Sequence, residues 1–559
     1  MSAWRRLAPA SALGLSTFLL LLVTQRAVGI PRDESVYFDA GERYARWVAE
    51  LFEEPGKALT DEAIFRAFEF NREHPALPKI LFGLSHHLFA ERLGWTSHAL
   101  GFRIPALILA AWLVALVYLL GERLSGPVPA LFAVLTTAFA PRHFFHLHLA
   151  CFDVPATFGW VLTVYCWLRA QESGARRWHL ATGAAFGLAI ALKHNAYFLP
   201  PLLLLHWLVY DGPAWWRLGR WRARLRAVPL AFPAMAILGP LVLYLSWPLL
   251  WFAPIERFGW YLAFHLHHEN YSWHYLGEVL RNPPFPIAYP FVVSGLTLPF
   301  PLLLPIGVGL ALGGYRWLER SLLVRRLAAR LGRRTPAPGD PQRQARLALV
   351  LGLGLFPLVL IALPSVPIFG GVKHWLHAWP FLGLLGGEVV VAAARGLAAH
   401  LKRPALAGPA GGTLVAALAV PVALATAHHH PNGTAAYNEL AGGPPGAASL
   451  GMQRHYWSSA VTEVLPWINA HAPRGARVFF HEVTYAAFRW YQRDGRLRSD
   501  LRYAQRPERS DLAAYQYHQE FRDIEYRIWT AYGTDRPVTG FYLDEVPIVL
   551  VYVRPKAPR

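Results

Sequence analysis

Two adjacent carboxylates, Asp33 and Glu34, follow the first uncharged apolar segment of this 559-residue chain, residues 11–23. A carboxylate at a water–lipid boundary can accept a proton from a hydroxyl or hold a polar substrate in place. Read alone, the pair is equally a solvated loop. More ionisable residues follow at the edges of later apolar segments. His74 and Lys79 lie in Glu73-His-Pro-Ala-Leu-Pro-Lys79, and Asp153 follows His143, His146 and His148. Lys193-His194-Asn195 closes one apolar segment and Lys373-His374 opens another, while His265, His267, His268 and Glu269 crowd a loop. Ionisable groups at membrane depth are costly and usually functional. Singly, each could equally snorkel or bind a nearby carbonyl. Together, carboxylates with Lys and His beside lipid point to an acid/base step on a phosphate-bearing lipid. A divalent metal is the one cofactor suggested, with His265, His267, His268 and Glu269 as its candidate ligands.

The elements that must position these residues are membrane helices. The chain is 54% hydrophobic and 16% charged, and its mean hydropathy is positive. A soluble protein of this length carries more charge and fewer long apolar runs. Cys151 and Cys166 form no disulfide framework and read as packing residues. The net charge is +19, and basic residues cluster in short loops between the apolar segments: Arg5-Arg6; Arg169, Arg176 and Arg177; Arg217 to Arg226; Arg316 to Arg346; and Arg395 with Lys402-Arg403. This is the positive-inside pattern, which excludes nucleic acid as a partner and makes lipid headgroups the basic contacts. Eleven spans put every cluster on one side, near 10–29, 101–121, 127–141, 154–170, 179–196, 198–210, 228–247, 287–312, 347–364, 375–394 and 408–427. The first could instead be a cleaved signal peptide ending at Ala27-Val28-Gly29.

The fold class expected is thus an α-helical polytopic membrane protein with a small C-terminal extracytoplasmic α/β domain. The membrane domain takes 1–427, including outer loops at about 30–100 and 248–286, and the α/β domain takes 428–559. Segments 39–52 and 75–89 read as amphipathic helices lying in the interface. In the tail, strands are expected at 477–480, 538–542 and 547–553, and helices at 485–493 and about 511–530. His428-His429-His430 reads as a solvated linker, because three adjacent histidines do not easily face one ion. The segment 335–341 reads as a flexible inner loop.

The order of these features resembles the membrane glycosyltransferases of the GT-C fold, specifically the protein O-mannosyltransferase and aminoarabinose-transferase relatives. The resemblance rests on Asp33-Glu34 after the first span, His74-Pro75-Ala76-Leu77 with Lys79, and Asp153 opening span four. It also rests on Lys373-His374-Trp375-Leu376-His377-Ala378-Trp379-Pro380-Phe381 and on Tyr437-Asn438-Glu439-Leu440-Ala441-Gly442-Gly443 with Tyr456-Trp457. It spans about 10–470. Ala76 replaces a proline, Ser458 stands where a glycine is usual, and no arginine lies six residues before Asp153, where His146 and His148 are the substitutes.

The resemblance implies a lipid-phosphate-linked sugar donor, and the chain has no phosphate-cradling Gly-Lys-Ser/Thr loop for a nucleotide donor. The expected reaction is inverting transfer from a polyprenyl-phosphate sugar to a protein, lipid or glycan acceptor. Asp33 is the expected base, with Glu34 and Asp153 positioning the sugar or the base. Lys79, Lys193 and Lys373, with His74, His194 and His374, are the expected donor-phosphate contacts. The expected location is the outer face of a bacterial cytoplasmic membrane; arginine in excess of lysine, with abundant Ala, Pro and Gly, suggests a GC-rich bacterial genome. A transporter or lipid flippase is the alternative, but no internal repeat relates the two halves. An envelope-assembly scaffold would leave the Asp-Glu pair unexplained.

Overall fold

The computed structural model describes residues 3–320 and 340–555. Arg325, Arg326, Arg330, Arg333, Arg334 and residues 335–339 of the inner loop lie outside the described residues, as do the side chains of residues 3–5 and 320.

Most of the chain is helical. Among the described residues, six helices are long and apolar enough to cross a membrane: Arg6–Ala27, His98–Ser125, Phe300–Glu319, Pro341–Ile361, Gly371–His400 and Pro404–His429. Two bent pairs bring the number to eight, Pro127–Phe139 with Pro141–Leu147 and Trp221–Ala227 with Ala231–Ser246, bent by 73° and 61°. The other expected spans fall on helices that are shorter or more polar. Leu199–Tyr210 has 12 residues and reaches about 18 Å, against a hydrocarbon core of about 30 Å. The span expected at 287–312 is broken into Tyr289–Thr297 and Phe300–Arg320. Pro299 lies at that break and has no amide hydrogen to continue a helical ladder. Leu15, Leu19, Val23, Ile237, Leu245, Leu304 and Leu424 are exposed on the helical faces, as lipid-facing residues should be.

The 30–100 loop is helical. Arg32–Glu53 buries Phe38, Tyr44 and Trp47. It crosses Leu77–His86 so closely that a Cβ on Gly83 would overlap the Gly41 carbonyl. The 248–286 loop carries the helix Pro254–Leu266 and a hairpin, β1 (Trp273–Tyr275) paired antiparallel with β2 (Glu278–Leu280). Trp273 and Tyr275 point inward against Tyr456 and Tyr289, so these two aromatics pack the core.

The C-terminal sheet has five strands in the order β4-β3-β5-β7-β6. These are β3 (Arg477–Phe480), β4 (Arg502–Ala504), β5 (Leu512–Gln516), β6 (Thr539–Leu543) and β7 (Val546–Val553). β3 runs parallel to β4 and β5, and β7 is antiparallel to β5 and β6. The helix expected at about 511–530 is corrected: β5 occupies its start, and the helix is Arg522–Tyr532. All five residues of β5 are buried, and a short apolar run buried on both faces has no period to separate strand from helix. The Tyr485–Arg493 helix of this domain docks on Arg32–Glu53. Asp39 accepts from Arg489 at 2.8 Å and Trp490 at 2.7 Å, and Arg493 pairs with Glu42 at 3.0 Å.

Candidate active site

Pro31 is the extended residue that starts the Arg32–Glu53 helix, putting Asp33 and Glu34 in its first turn. Carboxylates there are favoured by the unpaired amides and the helix dipole. The Arg32 amide donates to the Trp457 carbonyl at 3.0 Å, fixing the helix end to the 456–458 segment. Trp457 and Ser458 both have positive φ, 71° and 58°.

Consecutive helical side chains point about 100° apart, and the two carboxylates part company here. Asp33 is partly exposed and accepts from Lys373 Nζ at 3.1 Å. The Lys373 ammonium also lies 4.6 Å from the Trp457 ring centre and 4.9 Å from that of Phe369. Gly370 and Gly371 precede it with φ of 63° and 56°. A Cβ on Gly370 would strike the Lys373 side chain, so this turn needs glycine. Glu34 faces inward and is fully buried. Its two oxygens accept from Arg103 at 2.8 and 2.6 Å, and Oε1 also accepts from the Ala150 amide at 2.8 Å. Arg103 also donates to the carbonyls of Val28 and Gly29. Glu34 therefore ties the stretch before Asp33 to the stretch before Asp153.

Asp153 opens its helix and accepts from Lys193 Nζ at 2.6 Å. Lys373 is within electrostatic reach of both Asp33 and Asp153. His146 Nε2 meets the Tyr456 hydroxyl at 3.2 Å, and its Nδ1 is buried without a partner among the described residues. Asp33, Asp153, Lys193, Lys373 and His146 thus gather with Tyr456 and Trp457 at one place.

Other expected residues go elsewhere. Lys79 donates to the Asn71 carbonyl, Asn71 Oδ1 and the His74 carbonyl at 2.6, 3.1 and 3.0 Å. Burial pushes its ammonium down to about 7. Its three protons hold the 71–74 turn, so it presents none to a phosphate. His148 is bound by Thr24 and the Phe144 carbonyl, on the side of the first helix. His374 packs edge-on against Phe369, with Nε2 unpartnered.

The expected metal ligands separate. His265 joins His74 and His194, and one ligand nitrogen from each lies within 4.8 Å of the others. His267 and Glu269 are exposed, and His268 stacks on Phe369. Burial, reinforced by Lys79, holds the His74 imidazole well below its usual range, and burial brings His265 down to about 4. Neutral imidazoles are the form that binds a divalent cation. The His74–His194–His265 set could hold one.

Residues 73–244 match the family described as dolichyl-phosphate-mannose-protein mannosyltransferase. That stretch includes His74, Asp153 and Lys193. By this match the chain is a membrane glycosyltransferase. Among solved structures, ArnT from Cupriavidus metallidurans bound to undecaprenyl phosphate is similar at 16% identity and a TM-score of 0.47, over 98% of each chain. The same protein in the apo state is similar at 14% identity and 0.48, over 97% of each chain. The apo Archaeoglobus fulgidus oligosaccharyltransferase is similar at 11% and 0.47, over 89% of this chain and 64% of that one. Comparison with curated proteins gives no match.

Two arginines of this glycosyltransferase escaped the sequence reading. Arg103 lies inside an expected span, and a lone charge in an apolar segment was the available signal. Arg142 is buried, donates to the Ala436 carbonyl at 3.1 Å and lies 4.7 Å from the Tyr437 ring centre. Its Nη2 has no partner among the described residues. It lies eleven residues before Asp153 rather than six.

Proposed function

We propose that the chain transfers a sugar from a polyprenyl-phosphate donor to an acceptor at the outer face of the membrane, with inversion at the anomeric carbon. The carrying observation is the Asp33–Lys373 pair, which holds a partly exposed carboxylate at the N-terminus of a helix beside a buried cation. The matched family is named for a lipid-phosphate-linked sugar donor, and a donor of that class needs both groups. Asp33 accepts the proton of the attacking acceptor hydroxyl while the carbon–oxygen bond to phosphate breaks on the opposite face.

The leaving phosphate gains negative charge as that bond breaks. Cations already in place stabilise that charge without reorganising. Lys373 and Lys193 are the cations beside the two carboxylates, and Arg142 has an unused donor nearby. Lys373 leaves Asp33 for the phosphate when the donor enters, which frees the carboxylate to act as base. Asp153 keeps Lys193 oriented, and Glu34 fixes the helix start through Arg103. The C-terminal domain holds the same helix from outside through Asp39 and Glu42.

The test is turnover by purified protein in micelles against a panel of polyprenyl-phosphate sugars. Release of polyprenyl phosphate from one donor, dependent on acceptor, is expected. No binding and no release with any donor in the panel would overturn the reading.

A further inference from the structure

The histidine run at the end of the last membrane helix meets a carboxylate that the sequence gives no reason to place there. His428 and His429 close the helix Ala407–His429. Asp544 lies in the tight turn between β6 and β7, where it and Glu545 have φ of 48° and 68°. The structure brings this turn to the helix end: His428 Nε2 is 2.9 Å from Asp544 Oδ1 and 3.1 Å from Oδ2. His430 turns away to the Thr24 carbonyl, so two of the three histidines face the turn.

His429 decides what the cluster can do. It is 7% exposed. Its Nδ1 donates to the Ala425 carbonyl at 2.8 Å, so the ring proton sits there and Nε2 carries a bare lone pair. That Nε2 is buried and has no hydrogen-bond partner among the described residues. A ring nitrogen of His429 lies within 4.8 Å of one ligand atom from each of His428 and Asp544. A backbone carbonyl orienting one imidazole nitrogen while the other is left free is the usual support of a metal-binding histidine. An exposed His–Asp pair alone contributes little to stability and leaves the His429 nitrogen unexplained.

We propose that His428, His429 and Asp544 bind a divalent transition-metal ion, zinc by preference, that ties the last membrane helix to the C-terminal domain. Two imidazoles and one carboxylate suit zinc, whereas calcium and magnesium require more oxygen ligands. Zinc–nitrogen bonds of about 2.0–2.1 Å draw the three side chains inward. The His428 proton moves from Nε2 to Nδ1, and Asp544 turns one oxygen from that proton to the metal. Water takes the fourth position. The ion then links two segments that meet only through folding, and its binding stabilises their juxtaposition. This site is separate from His74, His194 and His265 and does not depend on the transferase reading.

The test uses the full chain in detergent micelles, purified through a tag without histidine and stripped with a chelator. Zinc chloride is titrated against a competing chelating dye, and thermal unfolding is followed with and without zinc. Wild type should bind one equivalent more than His429→Ala or Asp544→Asn, and zinc should raise its melting temperature more than theirs. Asp544→Asn alters only an exposed turn, and its metal-free melting temperature checks that it folds. Equal zinc stoichiometry in wild type and both variants, or no zinc bound by wild type, overturns the proposal. Loss in His429→Ala with undiminished affinity in Asp544→Asn also overturns it, because the metal would then not reach the domain.

Discussion

Asp33 and Lys373 stand 340 positions apart in the chain, yet Lys373 Nζ donates to Asp33 Oδ2 at 3.1 Å. The pair joins the Arg32–Glu53 helix to the start of the Gly371–His400 span. Asp33→Asn keeps the shape and the bond from Lys373 but removes the proposed base. Loss of a positioned base costs about 10²–10⁴-fold in rate, so turnover should fall by that much while donor binding survives. Near-normal turnover would remove Asp33 from the chemistry.

Lys373 and Lys79 should behave differently, although both were expected to hold phosphate. Lys373→Met should weaken donor binding, because Lys373 is the cation paired with Asp33, the proposed base. Lys79→Met should mainly loosen the 71–74 turn, since its ammonium is spent on Asn71 and the His74 carbonyl. Donor affinity and limited proteolysis of the loop separate the two effects. Equal losses of affinity with an intact loop in both variants would return Lys79 to the phosphate.

Glu34→Gln should destabilise the fold rather than act on chemistry. Glu34 and Arg103 are fully buried and joined at 2.6 Å, and breaking a buried pair by removing one partner costs about 3–5 kcal/mol. Arg103→Met should cost a similar amount, and the double variant less than the sum of the two. Thermal unfolding of the three variants in micelles checks this. Additive losses would mean the two residues act independently.

The sequence made the local features readable and left the long-range ones hidden. Arg477–Phe480 and Tyr485–Arg493 fall where strand and helix periodicity put them, and Asp544-Glu545 reads as the turn it is. Asp33 and Asp153 stand out as carboxylates beside apolar segments. Their partners are a different matter, because no local pattern says that Lys373 reaches Asp33 or that Arg103 reaches Glu34. Nor does the tail reveal that Arg489, Trp490 and Arg493 grip Asp39 and Glu42. β5 was misread because it is buried on both faces and so carries no alternation.

Glu520 makes the C-terminal domain sensitive to pH in a direction that can be worked out. Gln453 Nε2 donates to its Oε1 at 2.7 Å, while Oε2 is buried without a partner among the described residues. Burial is the main cause that raises this carboxyl to about 7, and Gln453 opposes it. In the unfolded chain the same group titrates near 4.5. Between those values the folded protein keeps a proton that the unfolded chain has lost, so stability falls as pH rises across the window. The stabilisation is fully present below 4.5 and gone above about 7, a difference on the order of 3 kcal/mol. Glu520→Gln keeps an oxygen for Gln453 and removes the titration. Thermal unfolding of the full chain from acid to mildly alkaline pH should show wild type losing stability across the window, with the variant flatter and more stable at the alkaline end. Profiles of equal slope would mean that Glu520 titrates as an ordinary surface carboxylate.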